Sequence, residues 1–272
     1  AKILTAYLDL LSTSYGAGVS TADLGSEAGK RVLDAWVDDN TGGLIKQSAI
    51  QPDPFLRLVL QNAVVLAARW ETPFAASATH AAPFTLADGS RVEVSTMSSS
   101  VPLRYAEVSG WKAVRMPYRD GDLYADVLLP PAGTSPSSLD ADLLQRLTKA
   151  LDVRANEPVA LTLPKVDLSM KTNLLPLLDA ATPTLVDPDR ADLSGISTAE
   201  RLSISQAWQQ VTFKVDEEGT VAAAVTELAA RTSSAPIAPA LAMRVDHPYV
   251  VRLAPKSTGV TLFLARIMDP RG

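Results

Sequence analysis

Two Asp-Gly pairs, each lying between runs of alternating apolar residues, constrain the fold of this chain more than any other feature. The first is Asp88-Gly89 in "PFTLADGSRVEVSTM", and the second is Asp120-Gly121 in "WKAVRMPYRDGDLYADVLLPP". Asp-Gly between two alternating runs is among the strongest short-range signals for a β-hairpin. The chain is therefore predicted to contain sheets that are largely antiparallel.

Other stretches predict helices. "SEAGKRVLDAWVDDNTGG" begins at a good N-cap, Ser26, and carries an apolar stripe at helical spacing until Gly42-Gly43 end it. We expect Trp36, which lies in that stripe, to pack in the core. A second helix is expected around the leucines of 143–151, and a short third helix over 171–180.

The remaining patterned stretches predict strands. "VALTLPKVDL" alternates as one strand, and the C-terminal region predicts a hairpin with Thr258-Gly259 at its turn. The nearly continuous apolar run over 56–68 suits a strand buried on both faces or a buried helix, and its Val and Leu content favours the strand. Many hairpin-linked strands with a few helices indicate an α+β fold, which we expect to form a single domain over 1–272.

Composition excludes several classes of function. The net charge of -5 gives no basic surface for nucleic acid, and no apolar run is long enough to predict a membrane span. The absence of cysteine excludes disulfides, thiolate catalysis and Cys-based zinc sites. The two histidines are His80, in a loop-like stretch, and His247, at a strand entry, and no G-x-S-x-G motif is present. We therefore expect no catalytic residue, no metal and no cofactor.

One stretch, 211–251, fits neither a core element nor an ordinary linker. It opens as an alternating strand, passes through "DEEGT", continues in small residues and ends in Pro-rich sequence. Two interpretations stay open on the residues alone. The segment is either a flexible polar linker with an Ala-rich start or a segment able to add to a sheet as a strand.

Several motifs along the chain resemble those of the serpins, in the same order and spacing. They are "LQNAVVLAARWETPF", "DGSRVEVSTM", "LPKVDLSMKTNLLPLL", "ADLSGIS", "VDEEGTVAAA" and "DHPYVVRL". The resemblance covers essentially the whole chain and implies the serpin fold, with multi-stranded, mostly antiparallel sheets, surrounding helices and an exposed reactive-centre loop over about 217–240. The usual N-terminal segment of the family has no counterpart, so we expect a fragment of a longer protein, of prokaryotic source from its alanine-rich composition.

The resemblance assigns the puzzling stretch to the reactive-centre loop, which proteases cut as bait and which then inserts into the main sheet. Period-two geometry would place Thr220, Ala222, Ala224, Thr226 and Leu228 on one face of the inserted strand, and none of them is charged. Glu227 would lie on the opposite face. The hinge residues implied by the resemblance are Glu217, Glu218, Gly219, Thr220, Ala222, Ala223 and Ala224.

The function that the resemblance implies is suicide inhibition of a serine protease by loop cleavage, acyl-enzyme trapping and loop insertion. Counting the distance usual in the family from Glu217 places the scissile bond between Ser233 and Ser234, which suits an elastase-like or subtilisin-like protease. The alternative bond, Arg231-Thr232, would suit a trypsin-like protease. Two other functions stay open: a non-inhibitory serpin acting as a carrier or chaperone, and an inert serpin fragment.

Three further residues are assigned to the region where the sheet opens. Trp70 resembles the tryptophan at the point of loop entry, and Asn62 resembles a buried asparagine beneath the central strands. Gln209 occupies the position of a histidine that pairs with that asparagine in many members. By family analogy we expect a monomer with no nucleic-acid or membrane partner, in an extracellular or periplasmic location.

Overall fold

The computed structural model describes residues 2–61, 68–119, 121–220 and 241–271, and within them the chain forms five α-helices and twelve strands. The helices are α1 Thr5–Tyr15, α2 Glu27–Asn40, α3 Ala141–Val153, α4 Leu175–Ala181 and α5 Pro183–Val186. The strands are β1 Ala68–Arg69, β2 Thr79–Thr85, β3 Arg91–Val108, β4 Trp111–Pro117, β5 Leu123–Leu129, β6 Glu157–Pro164, β7 Val166–Asn173, β8 Trp208–Val215, β9 Gly219–Thr220, β10 Leu241–Arg244, β11 Tyr249–Pro255 and β12 Phe263–Ile267. The predicted α+β class is confirmed.

The chain divides into two compact units. The described residues of the first are 2–61 with Ser169–Thr212, and those of the second are 68–119, 121–168, 213–220 and 241–271. Strands β7 and β8 each have residues in both units. Among the helices that the structure describes, none is both long enough and apolar enough to cross a bilayer. The prediction of one domain over 1–272 stays a prediction.

The second unit is built on a sheet of eight described strands. Its order is β10-β6-β3-β4-β5-β11-β12, with β2 also paired to β3, and every pairing except the parallel β10-β6 is antiparallel. The predicted hairpins are confirmed as β2-β3, β4-β5 and β11-β12. Gly89 and Gly259, at the turns of the first and last of these, have φ values of 85° and 64°, which favour glycine.

Both faces of this sheet are covered by apolar side chains of the same unit. Helix α3 follows the N-cap Asp140, whose carboxylate accepts from the Leu143 N–H at 2.8 Å, and buries one stripe of leucines. That stripe, Leu143, Leu147 and Leu151, packs with Trp111, Ala113, Leu128 and Val250 on one face. The opposite face carries the larger core, which includes Trp70, Phe84, Met97, Tyr118, Leu161, Phe213, Met243 and Tyr249. The predicted leucine helix is thus confirmed.

The first unit contains α1, α2, α4 and α5. Helix α2 begins after Ser26, whose hydroxyl accepts from the Gly29 N–H at 3.1 Å, and it ends before Gly42 as predicted. Leu33 and Val37 of this helix have buried side chains, whereas the side chain of Trp36 is only partly buried. The expectation of a core position for Trp36 is therefore wrong, because the buried stripe runs along the neighbouring positions.

Four other expectations need correction. "VALTLPKVDL" forms two strands, since the chain passes at Lys165 from the eight-stranded sheet to the sheet that contains β7. The expected helix over 171–180 starts only at Leu175, because Lys171 still belongs to β7. His80 lies in strand β2, where it opposes Thr96, and not in a loop. Of the apolar run over 56–68, only Ala68 is in a strand, 56–61 are irregular, and 62–67 lie outside the described residues.

Candidate functional site

The short strand β9 is the centre of the candidate site. It lies between β1 and β8 in a sheet of order β1-β9-β8-β7. Thr220 opposes Ala68 on one side and Val215 on the other, and Gly219 opposes Arg69, all antiparallel. A strand with neighbours on both sides is an interior strand, and this one is only two residues long within the described part of the chain.

A tight turn carries the chain from β8 into β9. The carboxylate of Asp216 accepts from the N–H of Glu218 at 2.9 Å and from that of Gly219 at 3.1 Å. The Asp216 N–H in turn donates to the Gly219 carbonyl at 3.0 Å. An aspartate whose carboxylate accepts from the backbone N–H groups two and three residues ahead stabilises such a turn locally. The turn therefore sets the direction in which β9 leaves β8.

Gly219 is required by a close approach of two backbones. A Cβ at this position would lie 2.1 Å from the Ala68 carbonyl oxygen and 2.9 Å from the Arg69 Cα. Both are backbone atoms of β1 and cannot move aside as a side chain could. A glycine here lets β9 fit against β1, and any larger residue would push the two strands apart.

Trp70 holds the turn from the side. Its indole N–H donates to the Asp216 carbonyl at 3.0 Å, and its backbone N–H donates to the Glu218 carbonyl at 2.8 Å. The ring is 2% exposed and stacks on Tyr118 with centroids 4.5 Å apart. The Tyr118 hydroxyl is hydrogen-bonded to the hydroxyl of Thr220, which is also 2% exposed. One aromatic pair therefore contacts both the turn and Thr220, the last described residue before 221–240.

Glu217 is fixed by two side chains from other strands. Lys165 Nζ donates to one carboxylate oxygen at 2.7 Å, and the Thr79 hydroxyl donates to the other at 2.8 Å. Partial burial raises the pKa of the Glu217 carboxyl, but the hydrogen bonds from Lys165, its own backbone and Thr79 outweigh burial and lower it below its ordinary value. The carboxylate is thus held charged and oriented in the turn that leads into β9.

The structure brings together five of the predicted residues: Trp70, Glu217, Glu218, Gly219 and Thr220. Gln209 lies on β8 with an exposed side chain and takes part in none of the hydrogen bonds above. The other predicted residues lie outside the described residues, so their roles stay predictions; they are Asn62, Ala222, Ala223, Ala224, Arg231, Thr232, Ser233 and Ser234.

Sequence reasoning missed four residues of this site, Thr79, Tyr118, Lys165 and Asp216. Asp216 could have been found locally, since an aspartate three residues before a glycine is a turn signal. The others carry no local signal. Within the described ranges no three acidic or histidine side chains come close enough together to hold a metal ion. The hydrogen bonds and close contacts of this site position the backbone of the turn and of β9.

Comparison with known proteins decides the family. A family model described as Serpin (serine protease inhibitor) matches residues 1–270. The chain belongs to the serpin family. This serpin is 31% identical over 257 residues to plasminogen activator inhibitor 1 of Neovison vison, with 90% of the chain and 62% of that protein covered. It is 32% identical over 275 residues to Iripin-8 of Ixodes ricinus, with 97% of the chain and 68% of that protein covered.

A solved structure supports the fold independently. The structure of a thyroxine-binding globulin complex with thyroxine matches this serpin with a TM-score of 0.84 at 22% identity, covering 100% of this chain and 72% of that chain. At that identity the likeness shows the fold alone. The serpin spans between about three-fifths and three-quarters of the length of these three proteins.

Proposed function

We propose that this serpin inhibits serine proteases by offering the loop of about 217–240 as bait and inserting it, once cut, as a strand that extends β9. The observation that carries the proposal is the position of β9 between β1 and β8. A loop in which Gly219 and Thr220, near its start, already form an interior strand needs only to lengthen that strand. No new nucleation of sheet pairing is required.

The burial of the Thr220 side chain in β9 also supports the proposed insertion of the loop between β1 and β8. Thr220 faces the core and contacts Tyr118, and it is the first residue of the uncharged face formed by alternate residues of the loop. Buried positions reject charge because an unpaired ion loses its hydration. A loop with charge kept off that face can therefore follow Thr220 into the sheet.

The covalent step belongs to the protease. Its serine hydroxyl attacks the carbonyl carbon of the residue before the scissile bond, and the peptide C–N bond breaks. The new amino terminus leaves with a proton, and an ester joins the loop to the protease. Insertion of about fifteen residues at about 3.3 Å each would move the ester by about 50 Å. A displacement of only about 1 Å in a catalytic constellation can cost about a hundredfold in rate, so hydrolysis of the ester stalls.

The target class follows from the scissile bond. Ser233-Ser234 would suit an elastase-like or subtilisin-like protease, and Arg231-Thr232 would suit a trypsin-like one. The test is incubation of the serpin with subtilisin, elastase and trypsin separately, followed by denaturing gels and intact-mass measurement. We expect an adduct that survives denaturation with at least one protease, and the mass of the released C-terminal peptide identifies the bond.

A charge on the loop face that is expected to be buried by insertion tests the proposal. Thr226→Arg would place a cation on that face, so insertion should fail while cleavage continues. Thr226→Ser, the matched control, keeps the hydroxyl and should keep the adduct. If the unsubstituted serpin is cut cleanly by all three proteases without an adduct, the inhibitory proposal is wrong, and a non-inhibitory serpin or an inert fragment takes its place.

A further inference from the structure

Two arginines, Arg69 and Arg119, lie opposite each other beside β9. Their neighbours Trp70 and Tyr118 form an antiparallel bridge, and the Arg119 N–H donates to the Arg69 carbonyl at 2.7 Å. This register places Arg69 opposite Arg119, so their side chains project from the same face. Because the rings of Trp70 and Tyr118 are buried on the other face, the arginines lie on the solvent side, where Arg119 is exposed and Arg69 half-buried. We call these two residues the arginine pair.

The arginine pair breaks a local rule of sheet structure. Like charges that face each other directly across two strands repel, and they destabilise the sheet. Within the described ranges, neither guanidinium has an ion pair or a side-chain hydrogen bond. The acids Glu71 and Glu218 lie near Arg69 and near its partner on β9, yet neither is ion-paired with an arginine. The fold alone gives no reason for two cations here, and such exceptions are expected at functional sites.

The arginine pair lies where the loop leaves the sheet, since Arg69 opposes Gly219 of β9. The place where the chain re-enters a sheet is near, because strand β6 joins the two places. Leu241, the first residue of β10, opposes Val159 of β6, and Lys165, just past the end of β6, contacts the turn before β9. The stretch from Val159 to Lys165 spans about 20 Å. Both ends of the loop are therefore on the same part of the second unit as the arginine pair.

A protease that cuts the loop has to come close to the arginine pair. For either candidate bond, no more than nine residues, 232–240, separate the bond from β10. Nine residues span at most about 30 Å. A protease of about 230 residues has a radius of about 22 Å, so its body extends well beyond its active site. The surface around that active site can therefore contact the arginine pair before the bond is cut.

We infer that the arginine pair is a docking site for carboxylates on the surface of the target protease, next to its active site. The inference rests on the proposed function and adds a contact outside the loop that selects among proteases. Guanidinium and carboxylate groups match in geometry and bind through two parallel hydrogen bonds. Side chains at directly opposed positions start about 5 Å apart, so the pair can hold one carboxylate between them or two side by side. A bound carboxylate also offsets the repulsion between the arginines.

The test measures the second-order rate constant of adduct formation, with whichever of subtilisin, elastase and trypsin forms the adduct fastest. At about 50 mM salt, Arg69→Ala with Arg119→Ala should slow association at least about fivefold, because the attraction to the protease is lost. Arg69→Glu with Arg119→Glu should slow it at least about twentyfold, since attraction becomes repulsion. At about 1 M salt both effects should shrink to less than about twofold.

A control and a stability measurement separate docking from a structural role. Arg31→Ala with Arg190→Ala removes two exposed arginines of the first unit and should leave the rate constant unchanged. Arg119→Ala should slow association while its urea unfolding midpoint stays equal to that of the unsubstituted serpin or rises, because a repulsion is removed. If this variant loses stability together with rate, Arg119 supports the fold and the docking site is refuted.

The remaining outcomes are equally distinct. Rate constants of the arginine variants equal to that of the control overturn the docking site and leave the proposed inhibition standing. A faster rate with the glutamate variants also overturns it, since the partner surface would then be basic. If the variants are slow only when dextran sulfate is added, the pair binds a sulfated polymer and not the protease, which overturns the inference as well. If the unsubstituted serpin forms no adduct with any of the three proteases, the proposed function itself fails, and the docking site with it.

Discussion

The chain on the two sides of 221–240 is anchored in opposite ways. Before it, β9 opposes two residues of β1 and one of β8, and polar contacts hold it. After it, β11 opposes six residues of β5 and five of β12. Under the proposed function the first side is the start of a strand that lengthens. The second side is a strand already paired with a neighbour on each edge.

The anchoring of the second side has an ionic centre. Asp126 of β5 is fully buried and accepts from Arg115 at 2.7 Å and from Arg252 of β11 at 2.8 Å. Arg115 also lies over the Tyr124 ring, 3.7 Å from its centroid. Arg252 donates to the Thr261 hydroxyl at 2.8 Å, which ties the C-terminal turn to the same centre. The first side has no comparable buried ion pair among the described residues.

The largest expected effect breaks the second side. Asp126→Ala would leave the buried Arg252 without its carboxylate and Arg115 with Asp152 alone, which should lower the free energy of unfolding by about 3–5 kcal/mol. Urea unfolding measures the loss. Asp142→Ala, which breaks the exposed pair with Arg146, is the control and should cost less than about 1 kcal/mol. Equal losses in the two variants would mean that the ionic centre does not anchor the C-terminal hairpin.

A smaller effect breaks the first side. Gly219→Ala would force a Cβ to 2.1 Å from the Ala68 carbonyl, so β9 must separate from β1. We expect the free energy of unfolding to fall by about 1–3 kcal/mol, as for other overpacked sites. Urea unfolding is compared with that of Gly195→Ala, where no atom lies within 4 Å of the new Cβ. The tight fit of β9 against β1 is refuted if the two variants are equally stable.

The stability contributed by the Glu217 carboxylate, on the first side, depends on pH. Because the pKa of Glu217 is lowered in the folded serpin, its contribution to stability is present above its ordinary pKa of 4.5 and is lost as the pH falls through the lowered value. Glu217→Gln should remove that contribution, about 1 kcal/mol at neutral pH given the partly exposed Lys165, and flatten the acid limb of stability against pH. Glu218→Gln makes the same charge change one residue on. Identical acid limbs in the two variants would contradict the assignment.

The smallest effect concerns one hydroxyl. Tyr118→Phe keeps the stacking on Trp70 but removes the hydrogen bond to Thr220, leaving that buried hydroxyl without its partner. The expected loss is about 1 kcal/mol in thermal unfolding, against none for Tyr15→Phe, whose ring is 77% exposed. If Tyr118→Phe loses no more stability than the control, the hydrogen bond between the Tyr118 and Thr220 hydroxyls does not stabilise the position of β9.

The sequence predicts the parts of this molecule that depend on neighbours in the chain. The hairpins at Gly89 and Gly259 and the cap at Ser26 follow from residues a few positions apart. The break at Lys165 was missed because alternation continues through it while the chain changes sheets. The burial of Trp36 was predicted wrongly because helical spacing identifies an apolar stripe, but it does not show which edge of that stripe packs against the rest of the protein.

The sequence predicts the residues of the candidate site that lie over 217–220, but not the residues that contact them. The residues of the loop base were found through the resemblance to the serpins, but their partners come from distant strands. Lys165 is 52 residues from Glu217, and Tyr118 is 102 residues from Thr220. No local period or turn signal connects positions so far apart. Their pairing is a property of the sheet topology, which the sequence pattern leaves open.

The central claim, that β9 is the start of a strand that lengthens, is tested most directly by thermal unfolding before and after a single cut in 221–240. The account predicts that the cut serpin unfolds at a clearly higher temperature, because a longer β9 adds pairing along β8. The C-terminal piece should stay bound through β11. An unchanged or lower unfolding temperature after the cut would contradict the claim.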